Sequence, residues 1–206
     1  MSNYVVHFTR GGEGYDDYRT MLGILGSGIL KPKQRFGIGK DKAPAETKQR
    51  AVCFSEIRAG QWSRLEERRE TKYGVAFTKE FILSQGGGPI WYAWKNTPHW
   101  RALQRMMASS IDDADADVWK ICPMIDAPGH YGRSDYVFDW EREWRHVGSM
   151  RFDTNNVAFL LMPEQLHGAA RGFVENAFTE NIGPAYFCPY VDPAWEKDAV
   201  LDALRR

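Results

Sequence analysis

Cysteine is scarce and scattered in this chain. The three cysteines, Cys53, Cys122 and Cys188, are too few and too widely spaced for a metal-ligand cluster or a disulfide framework. No apolar run approaches the ~20 residues that a membrane-spanning helix needs, and no signal peptide is evident. These absences predict a cytoplasmic protein with reduced thiols and no membrane partner.

Net charge is also lacking, because 27 basic residues balance 27 acidic ones. Tight nonspecific binding to nucleic acid depends on many phosphate contacts, so it is not expected of the chain as a whole. A nucleic-acid substrate would have to meet a local basic patch, either Lys31–Lys40 or Arg58–Lys72, although such runs are more often solvated faces. With 206 residues, 43% of them hydrophobic, the chain fits a single domain over residues 1–206.

Two motifs that would hold phosphate or metal are incomplete. The run Gly37-Ile38-Gly39-Lys40 is like the end of a phosphate loop, but Asp41 replaces the Ser or Thr that must follow the lysine. Asp113, Asp115 and Asp117 imitate a calcium loop, but Val118 stands where the loop needs glycine. The histidines show no metal-ligand spacing, so no metal is expected.

The most informative segment is Glu141-Arg142-Glu143-Trp144-Arg145. It is predicted to lead into a strand over Glu143–Val147, and residues two apart on a strand share a face. Glu141 and Glu143 would then lie side by side, an arrangement that costs stability unless the charges are neutralised. One interpretation is a solvated face with ion pairs to the nearby arginines. The other is a carboxylate site, in which one glutamate orients a substrate hydroxyl and the other stabilises a cation or acts as a base.

The rest of the chain predicts an α+β fold. Strands are predicted over Tyr4–Arg10, Ala51–Glu56, Tyr73–Thr78, Ile90–Trp94, Val157–Met162 and Ala185–Cys188. Helices are predicted from about Tyr15 to Gly26, over Gln61–Glu70 and Pro98–Ser110, from Pro163 to Phe178, and after an N-cap at Asp192. Strands and helices segregated in this way are typical of α+β domains.

The order of these motifs resembles the AbiGi family. The resemblance rests on His-Phe-Thr at residues 7–9, Cys-Phe-Ser-Glu-Ile at 53–57, Tyr-Gly-Val-Ala-Phe-Thr-Lys-Glu-Phe-Ile-Leu at 73–83, Gly-Pro-Ile-Trp-Tyr at 88–92 and Glu-Arg-Glu-Trp-Arg at 141–145. It covers residues 4–162, and residues 53–92 are its most specific part. The family is described as an antitoxin of bacterial abortive phage infection. The resemblance therefore implies a role in phage defence or a toxin–antitoxin system, with a cognate toxin or antitoxin protein as partner.

A weaker resemblance concerns the opening segment, where a strand-borne His-x-Thr precedes a helix and Gly-Ile-Leu. It is similar to DarT-like enzymes of the ADP-ribosyltransferase superfamily, which split NAD and transfer ADP-ribose to a nucleic acid or protein. The resemblance implies a split β-sheet core flanked by helices, with NAD as co-substrate. It places His7 on the first core strand, Ser55 or Tyr73 at the second site position, and Glu143 on a late strand with Glu141 two residues upstream. Thr78 is a further alternative for the second position.

The chemistry of that reaction accounts for these residue types. Cleavage of the nicotinamide–ribose bond passes through an oxocarbenium-like state, which a carboxylate at Glu143 or Glu141 would stabilise as catalytic group. His7 or Thr9 would hold the adenosine ribose. The candidates for stacking on the nicotinamide ring are Tyr73, Phe77, Trp91 and Tyr92.

A binding module on the same fold is the alternative function. Four aromatic residues, Trp91, Tyr92, Trp94 and Trp100, are interleaved with polar ones, and this composition is typical of interface hot spots. In this interpretation the chain is a non-catalytic antitoxin that masks a partner protein, and its glutamates serve only structure.

Overall fold

The structure is a computed structural model that describes residues 3–12, 14, 16–56, 70–131, 134–136 and 142–205. The chain divides into two compact units. Unit 1 contains Met1–Leu30, Phe54–Phe81 and Arg151–Arg206, and unit 2 contains Lys31–Cys53 and Ile82–Met150.

Strands and helices alternate irregularly along the described residues. The strands are β1 (Tyr4–Phe8), β2 (Ile29–Leu30), β3 (Ala51–Glu56), β4 (Gly74–Thr78), β5 (Gly88–Pro89), β6 (Trp91–Tyr92), β7 (Ile125–Asp126), β8 (Gly129–Tyr131), β9 (Ser134–Tyr136), β10 (Glu143–Val147), β11 (Met150–Arg151), β12 (Val157–Leu161) and β13 (Tyr190–Val191). The helices are α1 (Asp17–Ser27), α2 (Lys79–Ser84), α3 (Pro98–Ser109), α4 (Asp117–Ile121), α5 (His167–Glu180) and α6 (Lys197–Ala203).

Unit 1 is built on strands in the order β13-β12-β4-β1-β3. β1 pairs antiparallel with both β3 and β4, whereas β12 runs parallel to β13 and antiparallel to β4. The sheet is therefore mixed. Its apolar side chains form a core with α6, which contains Val6, Ala76, Phe159, Leu161, Val191 and Val200. The β-branched and aromatic residues of the sequence account for this, because they suit a pleated surface buried on both faces.

Helix α1 is fixed at both ends by its sequence. The Asp16 carboxylate caps its start by accepting a hydrogen bond from the Arg19 N–H at 2.7 Å. Gly28 ends it in the left-handed region, at φ 61°. A Cβ at this position would lie 2.7 Å from the Phe152 carbonyl oxygen, so both the backbone angle and the available space require glycine.

Unit 2 contains the strand order β3-β10-β5, to which β3 contributes its first three residues, and the parallel pair β6 and β7. Helix α3 begins at Pro98, as the sequence predicts, and Thr97 is its N-cap. A small apolar core lies beside α3 and α4, formed by Met107, Val118, Trp119 and Cys122.

An α+β fold is confirmed, and the predicted strands at Ala51–Glu56 and Glu143–Val147 have the predicted bounds. No helix in the described parts of the chain is both long and apolar enough to cross a membrane. The predicted helix Gln61–Glu70 lies outside the described residues, apart from Glu70 at its end. The single domain over residues 1–206 stays a prediction.

Two predictions near the C-terminus are wrong. Ala185–Cys188 is not a strand. The strand that pairs with β12 is β13, which begins at Tyr190, and the Leu160 N–H donates to the Pro189 carbonyl at 3.0 Å. Asp192 does not cap the last helix, which starts at Lys197. Its carboxylate is used by two other donors, the backbone N–H groups of Glu164 at 2.7 Å and Ala194 at 2.8 Å.

We expect Phe77→Ala to destabilise the protein by about 3–5 kcal/mol, because removing a fully buried aromatic side chain leaves a cavity. Phe77 has 0% exposure, and its ring contacts the rings of Phe54, Phe81 and Phe152. Phe173→Ala is the matched control, since Phe173 is 64% exposed and should change the free energy of unfolding by less than about 0.5 kcal/mol. Equal losses in urea denaturation of the two variants would contradict the assignment of Phe77 to the core.

Candidate functional site

Strand β10 carries the acidic segment that the sequence singles out. Glu143 is its first residue, and Arg145 follows two positions later on the same face. Arg145 is only 1% exposed, whereas Glu143 is half-buried. Glu141 lies outside the described residues, so the predicted pair of neighbouring glutamates stays a prediction.

Every donor of the Arg145 guanidinium has a partner. Its Nε donates to Glu143 Oε1 at 2.9 Å, and one terminal nitrogen donates to Glu143 Oε2 at 3.1 Å. The same nitrogen donates to Asp126 Oδ2 at 2.7 Å; the other donates to Asp126 Oδ1 at 3.1 Å and to the Pro123 carbonyl at 2.7 Å. Five bonds therefore use the five N–H groups of the fork. We call Arg145, Glu143, Asp126 and the Pro123 carbonyl the Arg145 cluster.

Burial and charge act in opposite directions on Arg145. Burial lowers the pKa of the guanidinium, but the carboxylates of Glu143 and Asp126 raise it by more, so Arg145 stays charged. The ring of Phe36 lies 4.7 Å from the guanidinium carbon and covers one of its faces. Two carboxylates thus share one buried cation that is fully hydrogen-bonded.

Neighbouring ionisable groups are held in their neutral forms. Burial, followed by the Glu143 carboxylate, raises the pKa of the Cys53 thiol well above its ordinary range. Burial also raises the pKa of Tyr92 to about 12, with further contributions from the charges of Glu143 and Asp126. Because the thiolate is the reactive form of cysteine, a protonated Cys53 is a poor nucleophile and a poor metal ligand.

The Arg145 cluster also anchors the backbone of the segment Ile90–Trp94. The Ile90 N–H donates to the Glu143 carbonyl at 3.0 Å, and the Ala93 N–H donates to the Asp126 carbonyl at 2.8 Å. The two residues that neutralise Arg145 therefore also fix the backbone directly before Trp91 and directly before Trp94.

That segment presents exposed aromatic side chains. Trp91 is 60% exposed and Trp94 is 42% exposed, whereas Trp100 is half-buried. The turn after Trp94 is closed by Thr97, whose hydroxyl donates to the Trp94 carbonyl at 2.6 Å. We refer to Trp91, Trp94 and the exposed residues of α3, which follow one another along the chain, as the tryptophan surface.

The predicted NAD contacts His7 and Thr9 belong to unit 1. His7 is half-buried on β1, and its ring lies 5.9 Å from the Phe54 ring in an edge-on arrangement. Thr9 is buried, and its hydroxyl donates to the Asp17 carbonyl at 3.0 Å. Its N–H donates to the Tyr73 carbonyl at 3.0 Å. In this arrangement Thr9 connects the end of β1 to the start of α1.

The other predicted contacts in unit 1 are Ser55, Tyr73 and Phe77. Ser55 is buried on β3 opposite Val6. Tyr73 is half-buried just before β4, with its ring 5.4 Å from that of Tyr18. Burial, and then the neighbouring Tyr18, raise the pKa of Tyr73. Phe77 is fully buried; its ring stacks on that of Phe81 and makes edge-on contacts with the rings of Phe54 and Phe152.

Three of the predicted site residues have partners within the protein itself. The hydroxyl of Thr9 donates to a backbone carbonyl, the ring of Phe77 is covered, and both oxygens of Glu143 accept from Arg145. A carboxylate neutralised by a buried arginine is a weaker stabiliser of a developing cation than a free one. Among the described residues, no group of three or more His, Cys, Asp or Glu side chains is placed to hold a metal ion.

Asp126 is the residue that sequence reasoning missed. It lies 19 positions before its partner Arg145, at the end of the two-residue strand β7. The sequence marks Asp126 only as an acidic residue directly after the apolar Ile125, and the segment is too short to be predicted as a strand. Arg145, in contrast, is one of the nearby arginines that the sequence predicts to neutralise the glutamates.

We expect Arg145→Met to destabilise the protein by about 3–5 kcal/mol, because it leaves two largely buried carboxylates without their cation. Arg101→Met, at an exposed position of α3, is the control and should change stability by less than about 1 kcal/mol. The triple variant Arg145→Met/Glu143→Gln/Asp126→Asn should recover part of the loss, since it removes the uncompensated charges. Urea denaturation that shows the triple variant to be less stable than the single one would contradict this account.

Comparisons with known proteins identify no relative: no family model, no curated protein and no solved structure matches the chain. The resemblances to the AbiGi family and to DarT-like enzymes therefore stay predictions.

Proposed function

We propose that this chain is a binding protein that masks an acidic face of a partner protein with its tryptophan surface. The exposure of Trp91 and Trp94 is the observation that carries the proposal. Large aromatic side chains are costly to leave in water, and they are the residues that most often dominate interface energies. Their backbone is fixed by the Arg145 cluster, so binding would cost little conformational entropy.

The charged residues in the segment around the tryptophans indicate the charge of the partner. Residues 81–111 contain no acidic residue, although the chain has 27, and they include Lys95, Arg101 and Arg105. Arg101 and Arg105 are exposed, lie one turn apart on α3, and make no ion pair within the described residues. A surface of this kind is complementary to acidic side chains around an apolar centre. The resemblance to the AbiGi family supports a toxin or antitoxin protein of a phage-defence system as that partner.

An NAD-dependent ADP-ribosyltransferase with a split-sheet core is our second proposal. Two observations favour it: Glu143 begins β10, as the resemblance to DarT-like enzymes implies, and its side chain keeps 13% exposure while Arg145 has 2%. His7 and Tyr73 are half-buried rather than buried. The charge balance of the Arg145 cluster makes this the weaker proposal.

The tryptophan surface is tested by Trp91→Ser/Trp94→Ser. The partner is first captured with the wild-type chain, identified, purified and measured by calorimetry. We expect the double variant to keep its melting temperature and to bind at least about 100-fold more weakly, because two hot-spot side chains are removed. Phe173→Ser is the control, because Phe173 lies in unit 1 and is at least as exposed as either tryptophan. Unchanged affinity in the double variant would exclude this surface. Binding of nucleic acid, with a strong salt dependence, in place of any protein would replace the proposed partner class.

NAD titration tests the second proposal. If it is right, the wild-type chain binds NAD and releases nicotinamide, and Glu143→Gln lowers the rate by about 100-fold or more. The melting temperature should change little, because Arg145 keeps its bonds to Asp126 and Pro123. Glu180→Gln, an exposed change at the end of α5, is the matched control. No heat of binding at about 1 mM NAD would exclude the transferase.

A further inference from the structure

Unit 1 contains a cleft that neither proposed function uses. It lies between α5, α6 and the segment 186–190, and its volume is about 640 Å³. Pockets for small molecules commonly have volumes of about 300–1,000 Å³. Its walls include four aromatic residues, Tyr186, Phe187, Tyr190 and Trp195. We call it the C-terminal cleft.

The aromatic walls are held in place by bonds at their polar ends. The Tyr186 hydroxyl donates to the Leu25 carbonyl at 2.6 Å, and the Trp195 Nε1 donates to Glu164 Oε2 at 2.9 Å. The rings of Tyr190 and Trp195 also pack against the buried ring of His167, at 5.7 Å and 5.4 Å. With their polar atoms bonded to these partners, Tyr186 and Trp195 contribute mainly ring carbons to the cleft. Aromatic faces carry partial negative charge, so they attract cations.

The charged lining has an excess of acid. Glu175 and Asp202 line the cleft together with one basic residue, Arg171. The surrounding segment 167–205 contains six acidic and three basic residues. Asp202 forms an exposed ion pair with Arg205 at 3.6 Å, a type of pair that contributes little. The local field therefore favours a cationic ligand over an anionic one.

One cation already lies over an aromatic ring of the cleft. The guanidinium carbon of Arg171 is 5.8 Å from the centre of the Tyr190 ring. Arg171 is exposed and makes no ion pair within the described part of the chain, so its position is not imposed by a carboxylate. This contact shows that the wall accepts a guanidinium, and a ligand cation could compete for the same face.

We propose that the C-terminal cleft binds a small organic cation of the alkylammonium or guanidinium class. The aromatic rings receive the cationic head group, and Glu175 and Asp202 neutralise its charge. Arg171 opposes the ligand, both by its charge and by occupying the Tyr190 ring. The cleft and its ligand do not depend on the tryptophan surface, which belongs to unit 2.

Choline, agmatine and a neutral analogue of choline, 3,3-dimethylbutan-1-ol, test the cleft. Binding is followed by NMR on the indole N–H of Trp195, which is assigned with Trp195→Phe. We expect choline or agmatine to shift this signal saturably with a Kd of about 1 mM, and the neutral alcohol to bind at least about tenfold more weakly. Equal affinity for the alcohol, or no saturable shift at about 50 mM of either cation, would overturn the proposal.

Substitutions of the exposed charged residues that line the cleft distinguish a site for cations from a cleft that binds any apolar molecule. Glu175→Gln/Asp202→Asn should weaken binding by about threefold or more, and Arg171→Gln should strengthen it by a similar factor. The control Glu180→Gln/Asp198→Asn removes two exposed acids that do not line the cleft, and should have a smaller effect than the lining pair. Weaker cation binding in Arg171→Gln, or equal effects of the two acidic pairs, would overturn the proposal.

Discussion

The buried guanidinium of Arg145 is the interaction on which the architecture of unit 2 depends. It joins β10 to β7 through Asp126 and to the turn at Pro123, and all five of its N–H groups are used. The backbone carbonyls of its two acidic partners then fix Ile90 and Ala93. Lysine cannot replace this arginine, because an ammonium has three donors and lacks the planar fork that two carboxylates and a carbonyl require here.

The same interaction favours the binding proposal over the transferase proposal. A catalytic carboxylate must keep charge and lone pairs for its substrate, whereas Glu143 shares both with a permanent cation. A binding surface has a different requirement, namely exposed side chains on a backbone that does not move. The segment with Trp91 and Trp94 meets it, because hydrogen bonds hold the backbone on both sides of Tyr92. A rigid backbone that carries exposed aromatic side chains is typical of an interface hot spot.

Local patterns predict much of the fold, and long-range partners explain the failures. The strand Glu143–Val147 follows from period-two patterning, and Thr97-Pro98 marks the start of α3, because these signals act over a few residues. The ion pair of Arg145 with Asp126 spans 19 positions and has no local signature. Asp192 fails as a helix cap for the same reason: a backbone N–H 28 positions away, that of Glu164, uses its carboxylate. Phe77 is an aromatic residue of the type that stacks on nicotinamide, but the residue type gives no sign of its contacts with three other aromatic rings.

The balance of 27 basic and 27 acidic residues has a consequence for the behaviour of the free chain in solution. At neutral pH, copies of the chain have no net charge to keep them apart. Trp91, Phe173, Phe178 and Phe187 meanwhile expose between 60% and 68% of their surface. Copies of the chain can therefore associate through these rings. A partner bound to the tryptophan surface would cover Trp91 and so reduce this self-association, whereas the three phenylalanines belong to unit 1.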